Sequence, residues 1–284
     1  MNIGLLGFGV VGGGVLELTQ GRSDITVSRV LLRSPKAGLP EGLATYDFND
    51  ILTDNAIDTV VEVMGGLHPA YEYVTAAMER GKSVVTANKA LIAAYYPELT
   101  ALAKEKGGAL RCTAAVGGGI PWLVNLARVK RLDTVAAVGG IMNGTTNYML
   151  TRMADNGLSY EDALHEAQQK GFAEADPTAD VDGLDAAAKI AILASIAFNS
   201  RVTLDDVFTD GITNISPVDI EAARDMGYVI KLLAIAHRRE DGVDVRVHPT
   251  MIPTNHQLAT VNGVYNAIYV VGDAVGETMF FGEG

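Results

Sequence analysis

An apolar helix that carries a lysine near its start, directly after an acidic loop, is the segment of the sequence best suited to chemistry. The loop from Gly171 to Gly183 holds several carboxylates between glycine and proline residues. Asp185 and Lys189 follow it four residues apart, so they share one face of the predicted helix. An ammonium in such a place can stabilise developing negative charge or transfer a proton. The alternative is a weak surface ion pair, which the apolar residues after Lys189 argue against.

Two other segments place polar groups where a ligand could bind. Lys89 lies just past the predicted strand from Ser83 to Thr86, and ligands of open α/β sheets bind at the carboxyl ends of the strands. The stretch from Asn143 to Tyr148 also follows a strand and is rich in hydroxyl, amide and backbone donors. The simpler alternatives are a solvated loop lysine and a polar turn that caps the next helix.

The N-terminal residues carry a glycine pattern typical of dinucleotide binding. Residues 7–12 match G-x-G-x-x-G between a strand and a helix, which is the context that the pattern requires. Its first glycine permits a tight turn, its second lets the backbone approach the pyrophosphate, and its third allows close helix packing. The cofactor-binding residues predicted on this basis are Gly7, Phe8, Gly9, Val10, Val11 and Gly12, with Gly65 at the end of a later strand.

The end of the second strand favours NADP over NAD. NAD-specific sites usually carry an acidic residue there for the ribose 2′-hydroxyl. This sequence has Arg33 instead, with Lys36 nearby and no acid between residues 31 and 36. A guanidinium can pair with a 2′-phosphate. The alternative is that both side chains are simply solvated, so NAD remains a possible cofactor.

Short apolar strands alternate with helices through the first half of the chain. This alternation predicts a parallel sheet, and hence an α/β, Rossmann-type domain over residues 1–125. After residue 125 a long helical region, roughly Tyr148 to Ala197, is followed by strand-like runs. An α+β domain with an antiparallel or mixed sheet is therefore predicted for residues 126–284, and we expect it to carry the substrate site and dimer contacts.

Composition excludes several classes of protein. The chain has 284 residues with a net charge of -12, which argues against nucleic acid or an anionic membrane as a partner. Its single cysteine, Cys112, cannot form a disulfide framework within the chain, which agrees with a cytoplasmic protein. No stretch approaches the roughly 18 apolar residues of a membrane span. The expected partners are a small-molecule substrate and a second copy of the chain. A homodimer is expected because the apolar helix from Leu184 and the runs at residues 264–271 carry more hydrophobic surface than one small layer can cover.

Taken together, these motifs resemble homoserine dehydrogenase over the whole of residues 1–284. The segment from Gly171 to Lys189 matches the family signature closely, and residues 86–89, 115–121 and 143–148 also look like family blocks. The resemblance implies NAD(P)-dependent interconversion of L-homoserine and L-aspartate 4-semialdehyde in threonine and methionine biosynthesis.

The resemblance also implies roles for individual residues. Lys189 and Lys89 match the catalytic lysines of the family, and Asp185 matches the acid one turn before Lys189. The positions that match substrate-binding residues are Glu174, Asp180, Gly144 and Thr145. Those whose backbone carbonyls would hold a structural sodium ion are Thr113, Val116, Gly118 and Ile120.

The chain departs from the family pattern near residue 284. Family catalytic regions normally continue with a glycine-rich turn and a helix that returns to the nucleotide domain, and this helix is expected to be missing here. No ACT-type regulatory domain or fused aspartate kinase is recognised, so threonine control is not expected for this chain.

Two other functions stay open at the level of sequence. One is a related reductase of the aspartate-semialdehyde dehydrogenase type, which needs a thiolate nucleophile. Cys112 is the only candidate, and its apolar neighbours predict a buried, inert thiol. The other is a dinucleotide-binding sensor without enzymatic activity, which would have no need of the lysine and carboxylate residues.

Overall fold

The computed structural model describes residues 1–284, which divide by their contacts into two units, Met1–Ala115 and Val116–Gly284. This division falls earlier in the chain than residue 125, where the sequence predicts the domain boundary. No helix in the structure combines the length and the apolar character needed to cross a membrane.

The first unit is built on a parallel sheet of six strands in the order β3-β2-β1-β4-β5-β6. The strands are β1 (Asn2–Leu6), β2 (Thr26–Leu31), β3 (Ala44–Thr45), β4 (Thr59–Glu62), β5 (Ser83–Thr86) and β6 (Leu110–Arg111). The helices are α1 (Val10–Thr19), α2 (Asn49–Leu52), α3 (Ala70–Glu79) and α4 (Lys89–Glu105). This strand order is that of doubly wound nucleotide-binding domains, and it confirms the predicted Rossmann-type sheet.

The two middle strands of this sheet, β1 and β4, are buried on both faces. All four residues of β4 are buried, and four of the five in β1 are, as expected for parallel strands covered by helices. One cluster of the core joins Leu16 of α1 to side chains of β1, β2 and β4. The carboxyl ends of β1, β4 and β5 therefore share one edge, where polar side chains can meet.

The second unit contains a mixed sheet of six strands in the order β12-β11-β7-β9-β10-β8, in which only the β8–β10 pair is parallel. Its strands are β7 (Val135–Ile141), β8 (Phe208–Thr209), β9 (Tyr228–Arg238), β10 (Val243–Pro253), β11 (Tyr265–Gly272) and β12 (Gly276–Glu283). Its helices are α5 (Trp122–Val129), α6 (Gly144–Asn156), α7 (Tyr160–Gln169), α8 (Thr178–Val181), α9 (Leu184–Phe198) and α10 (Pro217–Asp225). The predicted α+β architecture is confirmed.

Helix α9 is the apolar helix predicted after the acidic loop. It packs against β7, β9 and β10, and eleven of its residues are buried, from Ala186 to Phe198. The helical region predicted from about Tyr148 to Ala197, with loops interrupting it, consists of four helices, of which the first begins at Gly144. Strand β9, which lies between β7 and β10, is not among the strands predicted from the sequence.

Candidate active site

The glycine turn after β1 has the geometry of a phosphate-binding turn. Gly7 adopts a φ of 99°, which a residue with a side chain rarely adopts. A Cβ on Gly12 would lie 2.3 Å from the backbone oxygen of Gly7, so only glycine permits this close packing of helix and turn. A Cβ on Gly9 would meet nothing within 4 Å. The backbone at Gly9 is therefore open to a ligand at the amino end of α1.

A cavity of about 640 Å³ lies beside this turn in the first unit. Among the residues that line it are Gly7, Phe8, Gly9, Arg33, Lys36 and Tyr46. The other predicted cofactor residues lie off its wall, and Val10 and Val11 are exposed on α1. The lining suits a dinucleotide, because it combines a glycine backbone, aromatic rings and two cations.

No acidic side chain lines this cavity. The nearest carboxylates in sequence after β3, Asp47 and Asp50, are used in local turns. Asp47 accepts from the backbone and the side chain of Asn49, at 2.9 and 3.0 Å, and Asp50 accepts from the Thr45 hydroxyl. The cavity wall near Arg33 therefore carries positive charge without a neighbouring acid.

The carboxyl ends of β4 and β5 are joined by a buried carboxylate that the sequence analysis missed. Glu62 is 0% exposed and accepts from the backbone N–H of Met64 at 2.8 Å and from the Thr86 hydroxyl at 2.6 Å. Asn88 donates to Glu62 at 3.4 Å and to the Gly66 oxygen at 2.6 Å. The only signal in the sequence was an acid at the end of an apolar strand.

Lys89 is placed by this same edge of the sheet. Asn88 is the N-cap of α4, and its Oδ1 accepts from the backbone N–H of Leu91 at 3.1 Å. Lys89 is the first residue of the helix and is half-buried. Its backbone position is thus fixed by Asn88, and through Asn88 by Glu62, at the strand ends where open α/β sheets bind ligands.

In the second unit Lys189 forms the ion pair that the sequence predicts. Its Nζ lies 2.7 Å from Asp185 Oδ2 and donates to the backbone oxygen of Met142 at 2.7 Å. The side chains of Lys189 and Asp185 are 18% and 12% exposed. Solvent screens so enclosed a pair less than a surface pair, so it differs from the exposed i,i+4 pairs that contribute little.

Asn143 connects this pair to the acidic loop. Its Nδ2 donates to Asp180 Oδ1 at 2.7 Å and to Asp185 Oδ2 at 3.1 Å. Its Oδ1 caps α6 by accepting from the backbone N–H of Thr146 at 2.9 Å. Asp180, Asp185, Lys189 and Asn143 thus form one cluster, called here the lysine–carboxylate cluster. The sequence analysis singled out the segment but not Asn143 itself.

The remaining predicted substrate residues lie around this cluster in different roles. The Thr145 hydroxyl donates to the backbone oxygen of Phe172 at 2.6 Å and so ties α6 to the acidic loop. A Cβ on Gly144 would lie 2.7 Å from the Val264 oxygen, so this position requires glycine. Glu174 is exposed, and its backbone oxygen accepts from Gln168 at 3.1 Å.

The segment proposed to hold a cation turns through two glycines. Thr113 begins a short 3-10 turn, Gly117 and Gly118 have φ values of 75° and 52°, and the backbone oxygen of Ile120 accepts from the N–H of Trp122. Gly284 lies against both Gly118 and the side chain of Asn266, whose buried Oδ1 has no hydrogen-bond partner. No group of three or more His, Cys, Asp or Glu side chains is arranged to hold a metal ion.

Cys112 is a poor candidate for a nucleophile. It is 8% exposed, and burial raises the pKa of its thiol to about 11. Only a very small fraction is then thiolate near neutral pH, and the thiolate is the reactive form. The cysteine-dependent alternative considered from the sequence therefore lacks its nucleophile.

Comparison with known proteins identifies two family models in this chain. The model described as "Homoserine dehydrogenase, NAD binding domain" matches residues 7–112, and the model described as "Homoserine dehydrogenase" matches residues 121–284. The two matches coincide with the two parts of the chain that hold the glycine turn and the lysine–carboxylate cluster.

Curated relatives and solved structures agree with these models. Homoserine dehydrogenases of Synechocystis sp. and Bacillus subtilis are 48% and 43% identical to this chain, and each match covers all of it and 69% of the relative. A homoserine dehydrogenase structure from Thiobacillus denitrificans is 42% identical with a TM-score of 0.93, and the match covers 100% of this chain and 69% of that one. A hyperthermophilic archaeal homoserine dehydrogenase in complex with NADPH is 25% identical with a TM-score of 0.84, over 100% and 91% of the two chains.

Proposed function

The chain belongs to the homoserine dehydrogenase family and is an oxidoreductase that acts on the CH–OH group of homoserine. We propose that Lys189 is its principal catalytic residue. The observation that carries this proposal is the enclosed geometry of Lys189, whose ammonium is directed to Asp185 and to the Met142 oxygen. An ammonium has three N–H donors, so a third is left for a substrate oxygen.

The reaction interconverts the aldehyde of L-aspartate 4-semialdehyde and the alcohol of L-homoserine. A bound nicotinamide cofactor supplies the hydride that reduces the aldehyde carbon and takes it up in the reverse direction. As the carbonyl oxygen gains negative charge, the Lys189 ammonium stabilises it and transfers the proton that completes the alcohol. Asp185 keeps that ammonium in place for each turnover.

Substrate recognition is proposed for the acidic loop. Asp180 is held by Asn143 beside the lysine–carboxylate cluster, where its carboxylate can pair with the ammonium of the amino acid. Glu174 is exposed on the same loop and supplies a second carboxylate. Gly144 and Thr145 shape the wall next to the reacting carbon, since Gly144 allows close backbone approach and Thr145 anchors the loop at Phe172.

Lys89 is proposed as a second catalytic lysine, which also contacts the cofactor. Its support is its place at the carboxyl edge of the first sheet, fixed by the Asn88 cap. Gly65 adopts a φ of 74° at the end of the neighbouring strand and is proposed to border the nicotinamide. A cation at this edge is suited to the charge that changes during hydride transfer.

NADP is the proposed physiological cofactor, although the same turn can bind NAD. Arg33 and Lys36 line the cavity, whereas no carboxylate does, and a guanidinium can meet a 2′-phosphate with two charge-assisted hydrogen bonds. The archaeal relative solved in complex with NADPH agrees with NADP as a cofactor of the family.

A structural sodium ion is proposed for the backbone carbonyls of Thr113, Val116, Gly118 and Ile120. The side chain of Asn266 lies against Gly284, which in turn lies against Gly118, and its buried amide oxygen has no hydrogen-bond partner. Such an acceptor agrees with a cation bound nearby. Hard monovalent and divalent cations take oxygen ligands of this kind.

We also propose a cytoplasmic homodimer that serves threonine and methionine biosynthesis.

The test of the proposed function is turnover of homoserine with NADP by wild type and by Lys189→Ala. Loss of the ammonium is expected to lower kcat by about 100- to 1000-fold, the range found when an oxyanion donor is removed. Cofactor affinity, measured by fluorescence titration with NADPH, is expected to stay unchanged. Lys106→Ala is the matched control, because Lys106 forms an exposed ion pair with Glu105. A Lys189→Ala enzyme with more than about half of the wild-type kcat would refute the assignment.

A further inference from the structure

Strand β9 contains a lysine that is more completely buried than either proposed catalytic lysine. Lys231 is 3% exposed and lies among leucine, isoleucine and alanine residues of the second sheet. Its ammonium donates to Asn147 Oδ1 at 2.9 Å, to the Val261 oxygen at 2.8 Å and to Asn262 Oδ1 at 2.8 Å. All three acceptors are neutral, so the buried charge has no direct carboxylate partner.

A buried ammonium held only by neutral groups is costly, because it loses its hydration without gaining an ion pair. Burial accordingly lowers the pKa of Lys231 to about 8. A methionine would fill similar space among these apolar neighbours at much lower cost. The three groups that Lys231 contacts therefore indicate which part of the structure the buried charge holds in place.

The group that Lys231 holds is the first turn of α6. Asn147 is 1% exposed, and its Nδ2 donates to the backbone oxygens of Val261 and Tyr265 at 3.1 and 3.0 Å. Its backbone N–H bonds to the oxygen of Asn143, one turn earlier. Lys231 and Asn147 together thus fasten the start of α6 to the segment 261–265.

The start of α6 is also where the lysine–carboxylate cluster is assembled. Asn143 caps the helix and donates to both Asp180 and Asp185, and Asp185 pairs with Lys189. Gly144 packs so closely on the Val264 oxygen that a small shift of the segment 261–265 would move it. The contacts are therefore continuous from Lys231 through Asn147 and Asn143 to Asp185 and Lys189.

We infer that Lys231 is a positioning residue for the homoserine dehydrogenase reaction: it holds the first turn of α6 so that Asn143 can orient Asp180 and Asp185. This inference rests on the proposed function, because it takes the lysine–carboxylate cluster as the site of reaction. Lys231 itself touches neither substrate nor cofactor in this arrangement, since its three donors are already engaged by the protein.

The experiment compares Lys231→Met with a second buried lysine that has no link to the cluster. Lys82 is 6% exposed in the first unit and donates to the backbone oxygens of Asp54 and Ile57 at 2.7 and 2.6 Å. Lys82→Met thus removes a buried ammonium of the same kind. Steady-state kinetics with homoserine and NADP are measured for both variants and corrected for the folded fraction, with NADPH affinity as a further readout.

Lys231→Met is expected to lower kcat/KM for homoserine at least tenfold, with a rise in KM as Asp180 loses its orientation, while NADPH affinity is unchanged. Lys82→Met is expected to leave kcat/KM of the folded enzyme unchanged, whatever its effect on stability. Asn262→Ala removes one acceptor at an exposed residue and is expected to change kcat/KM in the same direction by a smaller factor. It keeps the test available if Lys231→Met does not fold.

The inference is overturned if folded Lys231→Met or Asn262→Ala keeps wild-type kcat/KM, or if Lys82→Met loses as much as Lys231→Met. Lys189→Ala separates this failure from that of the proposed function. An inactive Lys189→Ala beside a fully active Lys231→Met refutes the positioning role alone. A fully active Lys189→Ala refutes the proposed site and, with it, the role of Lys231.

Discussion

At the scale of single residues, the side chains proposed to act on the substrate and the cofactor are positioned by the elements that carry them. Lys189, the proposed catalytic lysine, lies on the buried helix α9, and its ammonium contacts Asp185 and the Met142 oxygen. Arg33 follows the last residues of β2, where the chain leaves the sheet and borders the cavity. Arg33 can therefore be changed with little disturbance of the sheet, whereas a change at Lys189 removes one partner of the enclosed Asp185 and is measured together with the folded fraction.

Arg33→Asp is expected to reverse or erase the proposed preference for NADP. The substitution would replace the two charge-assisted hydrogen bonds proposed for Arg33 by repulsion of the 2′-phosphate. A tenfold preference corresponds to only about 1.4 kcal/mol of differential binding, well within the reach of one such contact. The measurement is kcat/KM with each cofactor, and activity with NAD should persist because Lys89 and Lys189 are untouched. Wild-type values that are equal or favour NAD would show that Arg33 does not read the phosphate.

Glu174→Ala is expected to weaken binding of the amino acid more than it slows the chemistry. Glu174 is exposed on the acidic loop, so its carboxylate is available to the substrate ammonium. KM for homoserine should then rise more than kcat falls, since the interaction is present in both ground and transition states. Glu161→Ala on α7 is a suitable control for loss of an exposed acid. A defect in kcat alone would assign Glu174 to the chemical step instead.

At the scale of elements, β9 is inferred to support the proposed active site while contributing no proposed catalytic group. Its residues pair with both β7 and β10, and Lys231 projects from its middle to the first turn of α6. This buried charge should also leave a thermodynamic signature. The folded state lowers the pKa of Lys231 from 10.5 to about 8, so between these values the unfolded chain binds a proton that the folded chain does not.

The sign follows from that difference in bound protons. The contribution of Lys231 to stability rises with pH between about 8 and 10.5, because the cost of the buried ammonium is present below the folded pKa and is relieved above it. The free energy of unfolding of wild type relative to Lys231→Met is expected to increase by about 1.4 kcal/mol per pH unit in this window. Urea unfolding of both proteins at about pH 7 and about pH 9.5 measures this difference in unfolding free energy. These two pH values lie about one unit or more below and above the folded pKa. The single tryptophan, Trp122, reports on the second unit. A difference that does not change with pH would contradict the expected gain.

Element types were predictable from the sequence where local pattern and burial agree. The strand from Ser83 to Thr86 is a short, mainly apolar run that ends at a polar turn, so its predicted bounds are those observed for β5. Strand β9 was missed because its long apolar run does not alternate and is interrupted by Lys231. A lysine in the core is explained only by partners far along the chain, at Asn147 and Val261, which no local pattern shows.

Two residues that orient the candidate site, Asn143 and Glu62, were missed for a similar physical reason. Lys189 and Asp185 are four residues apart, so helical periodicity alone brings them together. Asn143 and Glu62 bind groups that are distant in sequence, and asparagine or glutamate at the end of a strand is equally common in ordinary turns and caps. The sequence therefore predicts which segments carry the chemistry, whereas the amide and carboxylate that orient them emerge only from the folded structure.

At the scale of the whole molecule, the expected homodimer needs a different justification from the one the sequence offers. The sequence reasoning relied on apolar surface of the helix after Leu184 and of residues 264–271. In the structure α9 is buried by its own sheet, and Ala267, Ile268 and Val270 are buried as well. Exposed apolar side chains occur instead at the β12 edge of the second sheet, where Phe281 is 67% exposed and its ring lies 6.3 Å from that of Tyr265.

We expect this edge to join two copies of the chain. An unpaired edge strand with exposed rings can associate with another strand, while a net charge of -12 on each copy opposes association. The dimer should therefore tighten as salt screens the repulsion. Sedimentation velocity at micromolar concentration should show twice the 30.0 kDa chain mass, and Phe281→Glu should shift it toward monomer. Leu18→Glu, at a residue 80% exposed in the first unit, should not. A wild-type monomer at this concentration in moderate salt would exclude the dimer, and dissociation by Leu18→Glu alone would place the interface on the first unit instead.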